Sequence, residues 1–157
     1  MPLPIALRTA TSEDTEFLAA VYEGTRLEEL AVTDWSPEQK TQFCRMQFQA
    51  QDTHYRQHYP TAEYYVIELE GVPVGRLYYD CWKREIRIMD IAVLPEYRGR
   101  GVGTQLLKDL LKDAADSGKI LSIHVERMNP ALKLYERLGF TVTEDKGLHL
   151  LMEAVGR

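Results

Sequence analysis

The stretch "EYRGRGVGTQLLKDLL", residues 96–111, carries the most specific chemistry in the chain. Gly99, Gly101 and Gly103 alternate with other residues, Arg98 and Arg100 flank the first of them, and a leucine-rich run follows at once. Glycines in that rhythm ahead of a helix suggest a loop that wraps an anion. The first turn of a helix presents unpaired N–H groups and a partial positive charge. Glycine lets the backbone close on a ligand with no Cβ in the way, and the two arginines can add charge-assisted contacts. Two familiar phosphate loops are excluded. Gly103 is followed by Thr104 with no lysine between them, so the Walker pattern fails. The dinucleotide fingerprint wants a third glycine where this chain has Thr104 or Leu106. Arg98-x-x-Gly101-x-Gly103 between a strand and a helix remains, and it suits a pyrophosphate. A plain glycine-rich turn with solvated arginines fits the local pattern too.

The surrounding elements must place that loop. "IALRT" alternates and reads as a short strand. "TSEDTEFLAAVYEG" reads as a helix capped by Thr11 or Ser12, with Phe17, Leu18 and Val21 on its apolar face and a stop at Gly24. "RLEELAVTDW" reads as a loop. A second helix follows, with Ser36 as cap, Pro37 in its first turn, Gln39 at the capping-box position and Phe43, Met46 and Ala50 at helical spacing. "AEYYVIEL", "VGRLYYDCW" and "EIRIMDIAVL" form an antiparallel meander ended by Pro95. The helix over about 101–116 has one apolar stripe of Leu106, Leu107, Leu110, Leu111 and Ala114. "KILSIHV" is a strand, and "NPALKLYERLG" is a short helix with Asn129 as cap and Gly139 at its end. "FTVTE" and "LHLLMEAV" close the chain as a hairpin. The order β-α-α-β-β-β-α-β-α-β-β predicts an α/β (α+β) fold. A right-handed crossover makes the strand before Pro95 and "KILSIHV" parallel neighbours in a mixed, mostly antiparallel sheet with helices on both faces.

Composition narrows the class. A chain of 157 residues fits one domain, 1–157, with a proper core. A net charge of -5 disfavours extended nucleic-acid contact. No apolar run approaches membrane-spanning length, and the N-terminus does not read as a signal peptide. Cys44 and Cys81 lack metal-ligand spacing and read as free thiols in a reducing cytoplasm. The expected location is therefore cytoplasmic, with no metal, membrane or nucleic-acid partner.

"IAVLPEYRGRGVGTQLL", followed after one strand by "NPALKLYERLGF", resembles the GNAT superfamily of acyl-CoA-dependent N-acyltransferases. Arg98, Gly101 and Gly103 match its pyrophosphate loop, and residues 129–140 match its second characteristic block. The resemblance covers about 86–140, and the element order fits the family's fold throughout. It implies that the anion is the pyrophosphate of coenzyme A and that acetyl-CoA is the cosubstrate. It also implies that the strands "IRIMDIAVL" and "KILSIHV" splay apart near their C-terminal ends. Backbone groups around Ile91, Ala92 and Val93 then take the pantetheine arm as another strand, with a bulge nearby. The coenzyme-binding set becomes Ile91, Ala92, Val93, Arg98, Gly99, Arg100, Gly101, Val102, Gly103, Thr104 and Asn129.

Attack of an amine on a thioester needs a neutral amine, a donor to the oxyanion and a proton for the departing thiolate. By resemblance, Tyr135 is the proton donor. Its phenol is protonated at neutral pH, although Leu132, Tyr135 and Leu138 also share a helical face and Tyr135 could be a core aromatic. Asp90, a carboxylate inside an otherwise apolar strand, is the candidate general base; a hydrogen-bonded structural role is the alternative. His124 and Glu126 are weaker candidates, and a water chain with no dedicated base also suits the family. The oxyanion donor would be a backbone N–H near Val93. In the family the first two helices and their connecting loop line the acceptor pocket. Here that loop brings Glu28, Glu29, Asp34 and Trp35, which could hold a cationic amine or be ordinary solvated surface. The first reading is an N-acetyltransferase for a small-molecule or peptide amine, compatible with a homodimer. A coenzyme-A-binding module without turnover is the second, and a toxin acting on charged tRNA is disfavoured by the acidic balance.

Overall fold

A computed structural model describes residues 3–156. The elements are β1 (Ile5–Thr9), α1 (Thr15–Thr25), α2 (Leu27–Ala31), α3 (Pro37–His58), β2 (Glu63–Leu69), β3 (Val72–Cys81), β4 (Glu85–Val93), α4 (Val102–Ser117), β5 (Ile120–Glu126), α5 (Leu132–Arg137), β6 (Thr141–Asp145) and β7 (His149–Val155). The strands form one seven-stranded sheet in the order β1-β2-β3-β4-β5-β7-β6. Every neighbouring pair is antiparallel except β4 and β5, which are parallel and joined through α4. Two parallel neighbours need a long crossover, and α4 supplies it. The expected mixed sheet is thus the observed one.

Each face of the sheet has its own apolar cluster. Leu106, Leu107, Leu110, Leu111 and Ala114 of α4 meet Leu77, Ile86, Ile88, Leu121 and Met152 on one face, joined by Tyr135 and Phe140. On the other face Leu18 and Tyr22 of α1, Leu30 of α2, and Cys44 and Phe48 of α3 pack together over Val66. Among the described residues no helix is long and apolar enough to cross a membrane. Cys44 is buried, Cys81 is exposed, and both are free.

Local chemistry explains the starts of the helices. The Ser36 hydroxyl accepts from the Gln39 N–H at 3.2 Å, and the Gln39 side chain accepts from the Ser36 N–H at 2.8 Å. This reciprocal pair, with Pro37 next, satisfies donors that the first turn of α3 leaves open. Thr11 caps a short 3-10 turn, Ser12–Asp14, that leads into α1.

Three local expectations are corrected. The segment after α1 is partly helical, because Leu30 is drawn into the α1–α3 cluster and folds Leu27–Ala31 around it. The inward face of α3 runs through Cys44 and Phe48, while Met46 is 65% exposed. Gln51 and Tyr55 continue that inward line, since polar partners await them on β3 and β4. Helix α5 begins at Leu132, not beside Asn129. The Asn129 side chain instead accepts from the Ala131 N–H at 2.8 Å in the preceding turn, a role short polar side chains take readily.

Arg8 fastens β1 to the entry of α1 by donating to both oxygens of Asp14, at 2.9 and 3.0 Å. Those bonds, followed by the Thr11 N–H, hold the Asp14 carboxyl below the usual carboxylate range. Its stabilising contribution is therefore complete above the unfolded value of about 3.9 and is lost as pH falls through the depressed folded value. Asp14→Asn should be less stable than the parent in urea at pH 7, with the gap closing as pH drops below about 4. A gap independent of pH would show that the carboxylate charge does not matter there.

Candidate active site

The parallel pairing of β4 with β5 ends early. Its register runs from Glu85 opposite Ile120 to Ile88 opposite Ile123, yet β4 continues to Val93 and β5 to Glu126. On its other edge β4 pairs with β3, with one irregularity. Tyr78 lies opposite Asp90 and Tyr79 opposite Ile88, so Met89 is an extra residue, a bulge. The Tyr55 hydroxyl donates to the Met89 carbonyl at 3.2 Å and secures the bulge from α3. Beyond it, Ile91, Ala92 and Val93 keep their β3 partners Leu77, Arg76 and Gly75 but have no β5 partner. A cleft therefore opens between the C-terminal ends of β4 and β5.

The glycine loop follows at once. Gly99 has φ +76° and Gly101 φ +85°, a left-handed form that side chains resist. Gly101 is the N-cap of α4, and no side chain caps that helix. The N–H groups of its first turn, from Val102 through Thr104, thus face outward without an intrahelical acceptor. Gly103 has neither a left-handed φ nor any neighbour within 4 Å of where a Cβ would stand. Arg98 makes two contacts within the chain. Its Nε donates to the Val93 carbonyl at 3.1 Å and its Nη2 to the Gly24 carbonyl at 3.0 Å. It ties the end of β4 to the end of α1 and so braces the loop from behind. Arg100 donates to the Glu96 carbonyl at 3.3 Å, with its guanidinium 5.0 Å from the centre of the Tyr97 ring.

Tyr135 and Asp90 belong to opposite faces of the sheet but lie near enough to interact electrostatically. Tyr135 is buried in the α4-side cluster with its ring edge-on to Phe140. Burial pushes its phenol up to about 12, and the negative charge of Asp90 adds to the effect. The hydroxyl makes no hydrogen bond to a described residue. Asp90 shares the opposite face with Arg76 and Tyr78 of β3, and its Oδ2 accepts from Arg76 Nη2 at 2.6 Å. Its Oδ1 accepts from no described residue. Sequence reasoning missed Arg76 and the bonds by which Gln51 and Tyr55 reach β3 and β4. The available signal was an arginine inside the apolar strand "VGRLYY".

His124 follows the last residue of β5 that pairs with β4 and lies between two cations. Its Nδ1 is 3.3 Å from Arg87 Nη1 and its Nε2 is 3.1 Å from Lys146 Nζ. Burial first, then Arg87 and Lys146, lowers its pKa below the ordinary value. Glu126 ends β5 on the exposed surface. Glu29 of α2 pairs with Arg26 at 3.0 Å, while Glu28 of α2 and Asp34 beyond it are exposed. Trp35 is 41% exposed and packs edge-on against Phe43 with centroids 5.1 Å apart. Arg26 thus offsets part of the acidic charge there. No group of side chains among the described residues forms a metal site.

The sequence profile of the acetyltransferase (GNAT) family matches residues 25–140, and the chain belongs to that family. An uncharacterized N-acetyltransferase of Methanocaldococcus jannaschii is 39% identical over 90 residues, 52% of this chain and 40% of that protein. The thialysine N-epsilon-acetyltransferase of Bos taurus is 41% identical over 75 residues, 45% of this chain and 44% of that enzyme. The chain thus spans less than half the length of these curated relatives. Among solved structures, the PaiA N-acetyltransferase of Thermoplasma acidophilum in complex with coenzyme A superposes with a TM-score of 0.73 at 20% identity. The alignment covers 96% of this chain and 98% of that one.

The cations around His124 give a direct prediction. Its imidazole should titrate below about 6.5 when followed by NMR. Lys146→Ala should raise that midpoint, because removing a positive neighbour favours the charged imidazolium. An unmoved midpoint would remove Lys146 from the causes and leave burial and Arg87 to account for the depression.

Proposed function

We propose that the protein is an N-acetyltransferase that moves an acetyl group from acetyl-CoA to the primary amine of a small molecule or peptide. The observation that carries this reading is Gly103. A glycine inside a helix costs roughly 1 kcal/mol against alanine. Neither backbone conformation nor internal packing requires one there. Its missing side chain instead leaves open space over the uncapped first turn of α4, where a pyrophosphate could meet the N–H groups of Val102, Gly103 and Thr104. The solved relative with coenzyme A bound supports this use of the fold.

In this reading Ile91, Ala92 and Val93 hold the pantetheine arm along the unpaired edge of β4, with Gly99, Arg100 and Gly101 at the phosphates and Asn129 bordering the cleft. Arg98 shapes the loop from behind. Acetyl-CoA supplies the acetyl group as an activated thioester. Tyr135 delivers a proton to the departing sulfur; its raised pKa keeps that proton in place at neutral pH. Asp90, through its open Oδ1, receives the proton that the amine must lose. A backbone N–H near Val93 steadies the oxyanion. Glu29, Asp34 and Trp35 border the acceptor entrance, because Arg98 holds the end of α1 against the loop. They favour a small amine with a second positive charge.

Thiol release from acetyl-CoA against a panel of amines, amino acids, polyamines and peptides tests the assignment. At least one amine should drive release. Coenzyme binding without release for any acceptor would favour a binding module instead. Saturating acetyl-CoA should raise the melting temperature, and Gly101→Val should abolish that shift; stabilisation by NAD or ATP alone would contradict the coenzyme assignment. Tyr135→Phe should keep the shift and lower turnover by roughly tenfold to a thousandfold. Unchanged turnover would reduce Tyr135 to a packing residue.

A further inference from the structure

Arg76 is a charged side chain in the interior, only 1% exposed. Its Nη2 donates to Asp90 Oδ2 at 2.6 Å and to Gln51 Oε1 at 2.9 Å, and the Tyr78 hydroxyl also lies against the guanidinium. Nε and Nη1 are buried with no hydrogen-bond partner among the described residues. The guanidinium carbon lies 5.0 Å from the centre of the Tyr78 ring, 5.6 Å from that of Tyr22 and 5.8 Å from that of Phe48. The cation thus sits in a cage of aromatic rings with one carboxylate at its rim. Such an arrangement is a poor device for stability. Replacing a buried ion pair by apolar residues of similar volume is often neutral or stabilising. The one charge that Arg76 addresses stands at the mouth of the β4–β5 cleft. Asp90 is faced by Arg76 and Tyr78 of β3, Tyr55 of α3 and Tyr135 of α5.

We infer that Arg76 is a positioning residue for acetyl transfer, fixing Asp90 by one oxygen so that the other is presented to the incoming amine. This rests on the reading that Asp90 receives the amine's proton. In that step an N–H bond of the protonated amine breaks, an O–H bond forms at Asp90 Oδ1, and the nitrogen attacks the acetyl carbon with the electron pair it keeps, while the C–S bond breaks and the sulfur takes its proton from Tyr135. Arg76 touches neither coenzyme nor amine. It holds the carboxylate at a set angle, and the Tyr55 bond to the Met89 carbonyl fixes the bulge that turns Asp90 toward it. Gln51 completes the support from α3.

The test uses Arg76→Met, Arg76→Lys, Asp90→Asn and the double variant Arg76→Met/Asp90→Asn, each measured for kcat, for both KM values and for melting with and without acetyl-CoA. Arg76→Met should lower kcat about tenfold or more, with the KM for acetyl-CoA and the acetyl-CoA melting shift unchanged. Arg76→Lys, which keeps the charge, should recover part of the loss. In the Asp90→Asn background Arg76→Met should change kcat no further, since the group it acts through is gone. The double variant should also melt higher than Asp90→Asn, which leaves a buried cation unpaired. Full kcat in Arg76→Met, or an equal further loss in the Asp90→Asn background, would overturn the inference. Should Arg76→Met alone not fold, the comparison of Asp90→Asn with the double variant decides it: equal kcat supports the inference and unequal kcat refutes it. Full turnover in Asp90→Asn would instead sink the reading of Asp90 as proton acceptor. An impaired Asp90→Asn beside a fully active Arg76→Met would leave that reading standing and remove only the role of Arg76.

Discussion

The parting of β4 from β5 after Ile88 and Ile123 is the constraint on which the rest of the site depends. A parallel ladder that ran on would seal the sheet and bury Asp90 and Tyr135 on opposite faces. The extra residue at Met89 shifts the pleat just where the strands separate. Past that point β4 holds to β3 alone. An open strand edge inside a fold is an unmet hydrogen-bonding surface, and extended ligands can complete it. The same gap lets a phenol from the α5 side and a carboxylate from the α3 side influence each other. The loop that follows β4 is then fixed by Arg98 to both Val93 and Gly24, so cleft and anion cradle keep one geometry.

Charge is distributed with the same economy. Arg76 carries a charge in the interior that burial opposes and Asp90 favours. Three aromatic rings around the guanidinium and a single ion pair accommodate that charge. Helix α3 is amphipathic in an unusual way: its inward line passes from Cys44 and Phe48 to Gln51 and Tyr55 as it nears the bulge. The apolar half secures the layer, and the polar half holds Arg76 of β3 and the bulge of β4. On the other side of the sheet α4 is apolar along its inward face, and no side chain caps its N-terminus.

Much of this was legible in the sequence, and the reasons are local. Ser36, Pro37 and Gln39 announce a helix start through bonds made within three residues. The leucine stripe of α4 reports the one side that helix buries. Gly99 and Gly101 mark backbone conformations that other residues avoid. The features that escaped depend on contacts between distant segments. Arg76 meets Gln51 across 25 positions and Asp90 across 14. No periodicity foretells such a pairing, so an arginine in a strand reads as merely outward-facing. Arg98 lies in a recognisable motif, but its contact with Gly24 spans 74 positions, and its work behind the loop is invisible in the motif. The inward face of α3 was misjudged because hydrophobicity favoured Met46 over Gln51, while the fold needed a hydrogen-bond acceptor at that depth.

The central claim is that one continuous surface, the free edge of β4 followed by the first turn of α4, receives coenzyme A. Titration of the labelled protein with coenzyme A, followed through its backbone amide resonances, tests it most directly. The account predicts large shifts at Ile91 and Val93 and at Val102, Gly103 and Thr104, saturating together with one dissociation constant. Shifts confined to another part of the fold, or saturation at Val102 to Thr104 with Ile91 and Val93 unmoved, would contradict it.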